Sequence, residues 1–67
     1  MNKFAERIKE LRTEKNLSQN ELSKQIGISV ACINRWENNL RIPNIDSIIT
    51  LCKFFGCTAD YLIGLED

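Results

Sequence analysis

The chain contains no histidine, one proline, three glycines and three cysteines among its 67 residues. Without histidine it lacks the commonest general base and metal ligand. Cys52 and Cys57 do not have the C-x2-C spacing of a thiolate zinc site. No glycine-rich phosphate loop occurs, and no nucleophile has an evident base, so neither enzymatic chemistry nor a metal or cofactor is expected. The cysteine count is odd and follows no signal peptide, which argues against a disulfide framework. Reduced thiols packed as small hydrophobes in a cytoplasmic protein are the expectation. Apolar runs are short, so no segment is expected to span a membrane. Net charge is zero, which by itself argues against strong non-specific attraction to a polyanion.

What is present is more directive. The length suits a single domain over residues 1–67, one that buries only about 60% of the surface its unfolded chain exposes. Charge is unevenly distributed. Residues 1–45 carry eight Lys/Arg against five Asp/Glu, whereas residues 46–67 carry Lys53 against Asp46, Asp60, Glu66 and Asp67. Such a chain can show a mildly basic face while its other end stays acidic.

Helical periodicity dominates, and no run alternates with period two. Phe4, Ile8 and Leu11 mark a first helix that ends at Lys15–Asn16. Ser18 and Glu21 then form a capping box, with Leu17 and Leu22 as its hydrophobic staple. Gly27 closes this second helix, since a left-handed terminal residue is most easily glycine. Ser29 caps a third helix, stapled by Ile28 and Ile33, which ends at Asn38–Asn39. After the loop "NLRIP", Asn44 caps a fourth helix with Ile45, Ile48, Ile49, Cys52 and Phe55 on one side, closed by Gly56. Thr58 caps a fifth, ended by Gly64. The expected fold is all-α, five short helices around one core.

Helices two and three are separated only by Gly27, Ile28 and Ser29. A turn this short forces a steep crossing, the geometry of a helix-turn-helix spanning about residues 19–38. With Ile33 and Trp36 facing inward, Val30, Ala31, Asn34 and Arg35 face outward and Ser29 sits at the tip. Small residues there let a helix enter the roughly 12 Å major groove of DNA. Arg35 can fork onto guanine, Asn34 can pair with adenine, and Val30 or Ala31 can meet a thymine methyl. Against this, Arg35 and Asn34 could be solvated surface residues, and Val30 and Ala31 mere spacers. Cys32 lies on the same helix without a cation pattern that would lower its pKa.

Three stretches, "IKELRTEKNLSQNELSKQIGIS", "INRWENN" and "RIPNIDSIITLCKFFGCTADYLIG", together resemble the phage repressor/Cro-type (XRE-like) helix-turn-helix family over nearly the whole chain. The resemblance implies a lambda-repressor-like DNA-binding domain. It implies phosphate contacts from Gln19 at a helix start and from the loop residues Asn38, Asn39 and Arg41, with Ser29 at the tip of the motif joining them. It implies an ion pair between Arg12 and Glu37, and dimer contacts in the region of Cys57, Tyr61, Leu62 and Leu65. Two positions depart from the usual pattern. Ser23 replaces a small alanine, so its hydroxyl needs a partner, expected to be a carbonyl one turn back. Asn39 replaces a glycine, and asparagine tolerates the left-handed conformation. The expected function is a sequence-specific transcriptional regulator, a repressor binding a near-palindromic double-stranded operator as a homodimer. It could also answer to a protein regulator. The alternative is a protein-interaction module of the same fold, such as an antitoxin or an anti-repressor partner.

Overall fold

A computed structural model describes residues 3–66. Five helices follow one another: α1 (Phe4–Glu14), α2 (Gln19–Ile26), α3 (Val30–Glu37), α4 (Ile45–Phe55) and α5 (Ala59–Ile63). Four of them begin on a side chain that accepts from the backbone. The Ser18 hydroxyl accepts from the Glu21 N–H at 3.0 Å, and the Glu21 carboxylate accepts from the Ser18 N–H at 2.8 Å. Ser29, Asn44 and Thr58 accept from the N–H groups of Cys32, Ser47 and Tyr61. Each such cap is worth about 1 kcal/mol against alanine. Helices of five to eleven residues are too short to persist alone, so caps and packing must supply their stability.

The core is Phe4, Ile8, Leu22, Ile33, Trp36, Leu51 and Leu62, drawn from all five helices. The Phe4 ring meets Trp36 edge-on, with centroids 5.7 Å apart. Leu11, Leu17, Ile26, Ile28 and Cys32 pack around this centre. On α4 the buried stripe differs from the expected one. Leu51 is fully buried, and Ile48, Cys52 and Phe55 lie against the core beside it. Ile45 and Ile49 are instead 74% and 47% exposed. Positions 48, 51, 52 and 55 form one face at helical spacing, and Ile49 is turned about 100° from Ile48. Leu62, expected at a dimer contact, is fully buried beneath its own helix and is part of the core. Among the described residues, no helix is long and apolar enough to cross a membrane.

Arg7 is a buried charge that periodicity alone places among the solvated residues of α1. It is 8% exposed. Its Nη1 donates to the carbonyl oxygens of Tyr61 at 2.7 Å and Glu66 at 2.9 Å. Its guanidinium lies 4.1 Å from the centre of the Tyr61 ring. Arg7 therefore ties α1 to α5 and to the residues that follow it.

A second arginine ties α1 to α3. Arg12 Nε and Nη2 donate to the two carboxylate oxygens of Glu37 at 2.7 and 2.9 Å, and Nη1 donates to the Leu17 carbonyl at 2.8 Å. Both side chains are largely covered, 13% and 5% exposed. Burial by itself would push the Glu37 carboxyl up. Hydrogen bonds from Arg12 and Gln19, with the charges of Arg12 and Lys9, outweigh that and hold it below its ordinary value.

Two consequences can be measured. Replacing Arg7 by alanine leaves two carbonyls without their charged donor, and is expected to cost about 1.5–3 kcal/mol. Urea unfolding of the variant should show it, and an unchanged midpoint would refute the anchoring role. Because Glu37 titrates lower folded than unfolded, its contribution is complete above its unfolded value near 4.5 and is lost as pH falls through the lower folded value. Glu37→Gln is accordingly expected to flatten the acid limb of stability against pH. An acid limb as steep as that of the native chain would show that other carboxylates govern it, Glu21 of the capping box being another that is held low.

Candidate nucleic-acid interface

The junction between α2 and α3 is held at four points. Gly27 adopts φ +71°, a left-handed conformation that costs other residues roughly 1–2 kcal/mol, and its N–H donates to the Ser23 carbonyl at 2.9 Å. The Ser23 hydroxyl donates to the Ile28 carbonyl at 2.5 Å. Its partner is thus in the turn ahead, not a carbonyl one turn back as the helical pattern suggested. Ile28 packs against the core, and Ser29 then caps α3. A serine in place of alanine here closes the turn, because the left-handed glycine folds the Ile28 carbonyl back within its reach.

With Ile33 and Trp36 buried, α3 turns Val30, Ala31, Asn34 and Arg35 to the surface. Ser29 is exposed at its start, and Asn38, Asn39 and Arg41 are exposed beyond its end. Cys32 is half-buried against the core rather than on the outer face. The chain leaves α3 through Asn39 at φ +60°, and the Leu40 N–H donates to the Arg35 carbonyl at 2.9 Å. This left-handed residue turns the chain at the end of α3, where Asn38 and Asn39 lie, and Arg41 follows in the loop.

Gln19, the first residue of α2, is half-buried beside this face. Its Nε2 donates to Glu37 Oε1 at 3.1 Å, and its Oε1 accepts from Asn34 Nδ2 at 3.4 Å. Asn38 Nδ2 donates to both the side-chain oxygen (3.2 Å) and the backbone oxygen (2.8 Å) of Asn34. Side chains of α1, α2 and α3 therefore form one connected polar network behind the outer surface of α3. The outer face of α3 presents the Arg35 cation with hydroxyl and amide groups, a set that can both donate and accept hydrogen bonds along the edges of bases.

Of the four residues expected at a dimer contact, Leu65 is 74% exposed, Cys57 and Tyr61 are half-buried, and Leu62 is inaccessible. Burial, reinforced by the neighbouring Cys52, pushes the Cys57 thiol up. Further exposed aliphatic surface lies elsewhere. Leu40, Ile42 and Ile45 are each at least 70% exposed, in the loop after α3 and the first turn of α4. The run "LRIPNI" carries the signal: three aliphatics around a proline leave no helical face on which to bury them together. Among the described residues, no group of three or more Cys, Asp or Glu side chains is placed to hold a metal ion.

Comparison with known proteins places this geometry. The helix-turn-helix family model matches residues 8–62. The HTH-type transcriptional activator BcrR of Enterococcus faecalis is 39% identical over 96% of this chain and 31% of its own length. Repressor protein C2 of Salmonella phage P22 is 34% identical over 90% of this chain and 28% of its own length. The cryptic phage CTXphi transcriptional repressor RstR of Vibrio cholerae is 30% identical over 91% of this chain and 55% of its own length. The chain thus spans from under a third to little more than half of these relatives. A transcriptional regulator from Listeria innocua superposes over the whole chain and 63% of its own, with a TM-score of 0.89 at 21% identity, a likeness of fold. Fold, turn and sequence agree, and the chain belongs to the Cro/C1-type helix-turn-helix family.

Proposed function

We propose that the protein is a sequence-specific double-stranded DNA-binding transcriptional regulator that reads its operator through the outer face of α3. The observation that carries this reading is the surface of Val30, Ala31, Asn34 and Arg35, held at a fixed angle to α2 by the Gly27–Ser29 turn. Small side chains at the start of α3 allow close approach to base edges. Arg35 reads guanine, and Asn34 reads adenine. Gln19, Ser29, Asn38, Asn39 and Arg41 surround that face and contact phosphates, which set position rather than sequence. With no net charge, the phosphate term is modest, and base contacts carry a larger share of the affinity.

The protein acts as a homodimer on a near-palindromic site, its two α3 helices entering successive major grooves about 34 Å apart. Leu65 and the exposed aliphatics Leu40, Ile42 and Ile45 supply apolar surface for a second copy. Repression by occlusion is the mode we favour, since a dimer seated across a promoter blocks it simply by occupying it. Named relatives include both an activator and a repressor, and a promoter-fusion assay distinguishes the two signs. The exposed aliphatics also support the second reading, a protein partner such as an antitoxin's toxin, which is compatible with DNA binding.

Selection of bound duplexes from a random pool at about 100 mM salt, where much of the non-specific phosphate term is suppressed, tests the proposal. The expected product is a near-palindrome with half-sites centred about 10 base pairs apart. Arg35→Ala is expected to cost roughly 1–3 kcal/mol on that site and to relax one base position. Wild-type affinity in the variant would remove Arg35 from the reading set. No enrichment by folded protein would favour the protein-partner reading.

A further inference from the structure

Cys32, Cys52 and Cys57 are all free thiols, and the end of α4 makes neighbours of two of them. Gly56 takes φ +69° and closes the helix. The Cys57 N–H then donates to the Cys52 carbonyl at 3.1 Å, and the Gly56 N–H donates to the same oxygen at 2.8 Å. At a helix end of this kind, the residue after the left-handed glycine turns back over the last turn. Its side chain meets the one five positions earlier, a contact made by apolar side chains in most proteins. Here both are cysteines. Each is half-buried, and each packs against the core. The Cys57 thiol, pushed up by burial and by Cys52, registers the same proximity.

The backbone permits a bond between them. An N–H to carbonyl contact of 3.1 Å keeps the two Cα atoms within about 7 Å of each other. A disulfide spans Cα atoms roughly 4.4–6.8 Å apart. The ring it would close holds only Lys53, Phe54, Phe55 and Gly56 between the two cysteines, so no other element has to move aside.

We propose that Cys52 and Cys57 are a reversible redox site, closing into an intramolecular disulfide when the folded protein meets a small-molecule disulfide, RSSR. The thiolate of one cysteine attacks a sulfur of RSSR, which breaks its S–S bond and releases RS⁻. The second cysteine, deprotonated, attacks the protein sulfur of that mixed disulfide and expels the other RS⁻. The dithiol gives up two electrons and two protons, and RSSR takes both to become two RSH. Fewer thiolates at a given pH slow an encounter with the oxidant, but the second step is intramolecular, and the fold supplies the proximity. Transient disulfides of this kind suit a redox-sensing role in a reducing compartment. The bond would tie α4 to the residue before Thr58, the cap of α5. Arg7 already holds α5 to α1, and oxidation adds a covalent tie on its other side. The site is independent of the reading of α3 as a DNA-contacting helix.

The test equilibrates the full chain in glutathione buffers of varied oxidised-to-reduced ratio, quenches with acid, alkylates the remaining thiols and maps tryptic peptides without reduction. Trypsin cuts after Lys53, between the two cysteines, so the peptides 42–53 and 54–67 stay joined only through a disulfide. The expected product is that joined pair, from a chain about 2 Da lighter than the dithiol form. It should run as a single chain on a non-reducing gel and return to the dithiol with dithiothreitol. Because the native turn holds the thiols together, the closure constant is expected to be at least about 3-fold larger in the folded chain than in the same chain unfolded in urea. No joined pair in oxidised glutathione alone overturns the proposal. So does a link between two chains, a link to the Cys32 peptide, or a closure constant no larger than that in urea.

Discussion

The paired Arg12 and Glu37 side chains are the contact on which the geometry of the motif depends. They join α1 to α3 through two short hydrogen bonds, and the third donor of Arg12 fixes the Leu17 carbonyl just before α2. One guanidinium thus sets the relative positions of three helices. The pair gives back part of its attraction in desolvating both charges, and the remainder holds the Glu37 carboxyl low. Its value lies in direction. A guanidinium fork and a carboxylate meet in a few geometries only, whereas aliphatic side chains can slide. A helix that must present particular atoms to a partner benefits from a fixed rotation about its axis, and Glu37 supplies it from the last turn of α3.

The rest of the fold is built from local devices repeated with small changes. An oxygen-bearing cap begins α2, α3, α4 and α5, and a left-handed glycine ends three of these four. The fourth, α3, ends instead at Asn38, with the left-handed residue Asn39 just beyond. That exception lies where side chains border the outer face of α3. Asparagine can take the same backbone conformation with a modest cost and brings a polar side chain that glycine lacks.

Much of this architecture was legible because caps, staples and terminal glycines act within a few residues of themselves. Ser18, Gly27, Ser29, Asn44, Gly56 and Thr58 each mark a boundary that the structure places at or next to them. The outward set on α3 followed from the burial of Ile33 and Trp36, two positions on a single helix. What escaped depends on residues distant in sequence. Arg7 is spaced like a solvated residue, and its acceptors are carbonyls, which carry no sequence signal. Leu51 and Ile49 differ by two positions on α4, and only the approach of the neighbouring helices decides which is covered. The Ser23 hydroxyl meets a carbonyl brought round by a left-handed residue, a placement that the helical pattern of α2 does not contain. The polar network from Arg12 through Glu37 and Gln19 to Asn34 was not legible either, since it needs three helices in place.

Arg7 also constrains the order in which the molecule can be completed. Its two carbonyl acceptors lie 54 and 59 positions further along the chain. While the polypeptide is being synthesised, α1 has its full sequence long before either acceptor exists, and a guanidinium cannot be buried without them at tolerable cost. Until then the Arg7 side chain stays in water, and the contact between α1 and α5 cannot close. α2 and α3 can meet earlier, because their contacts span few residues and closing a short loop costs little entropy. The helix-turn-helix is thus the part of the chain that can assemble first, and the closure of α1 upon α5 is the step that completes the core.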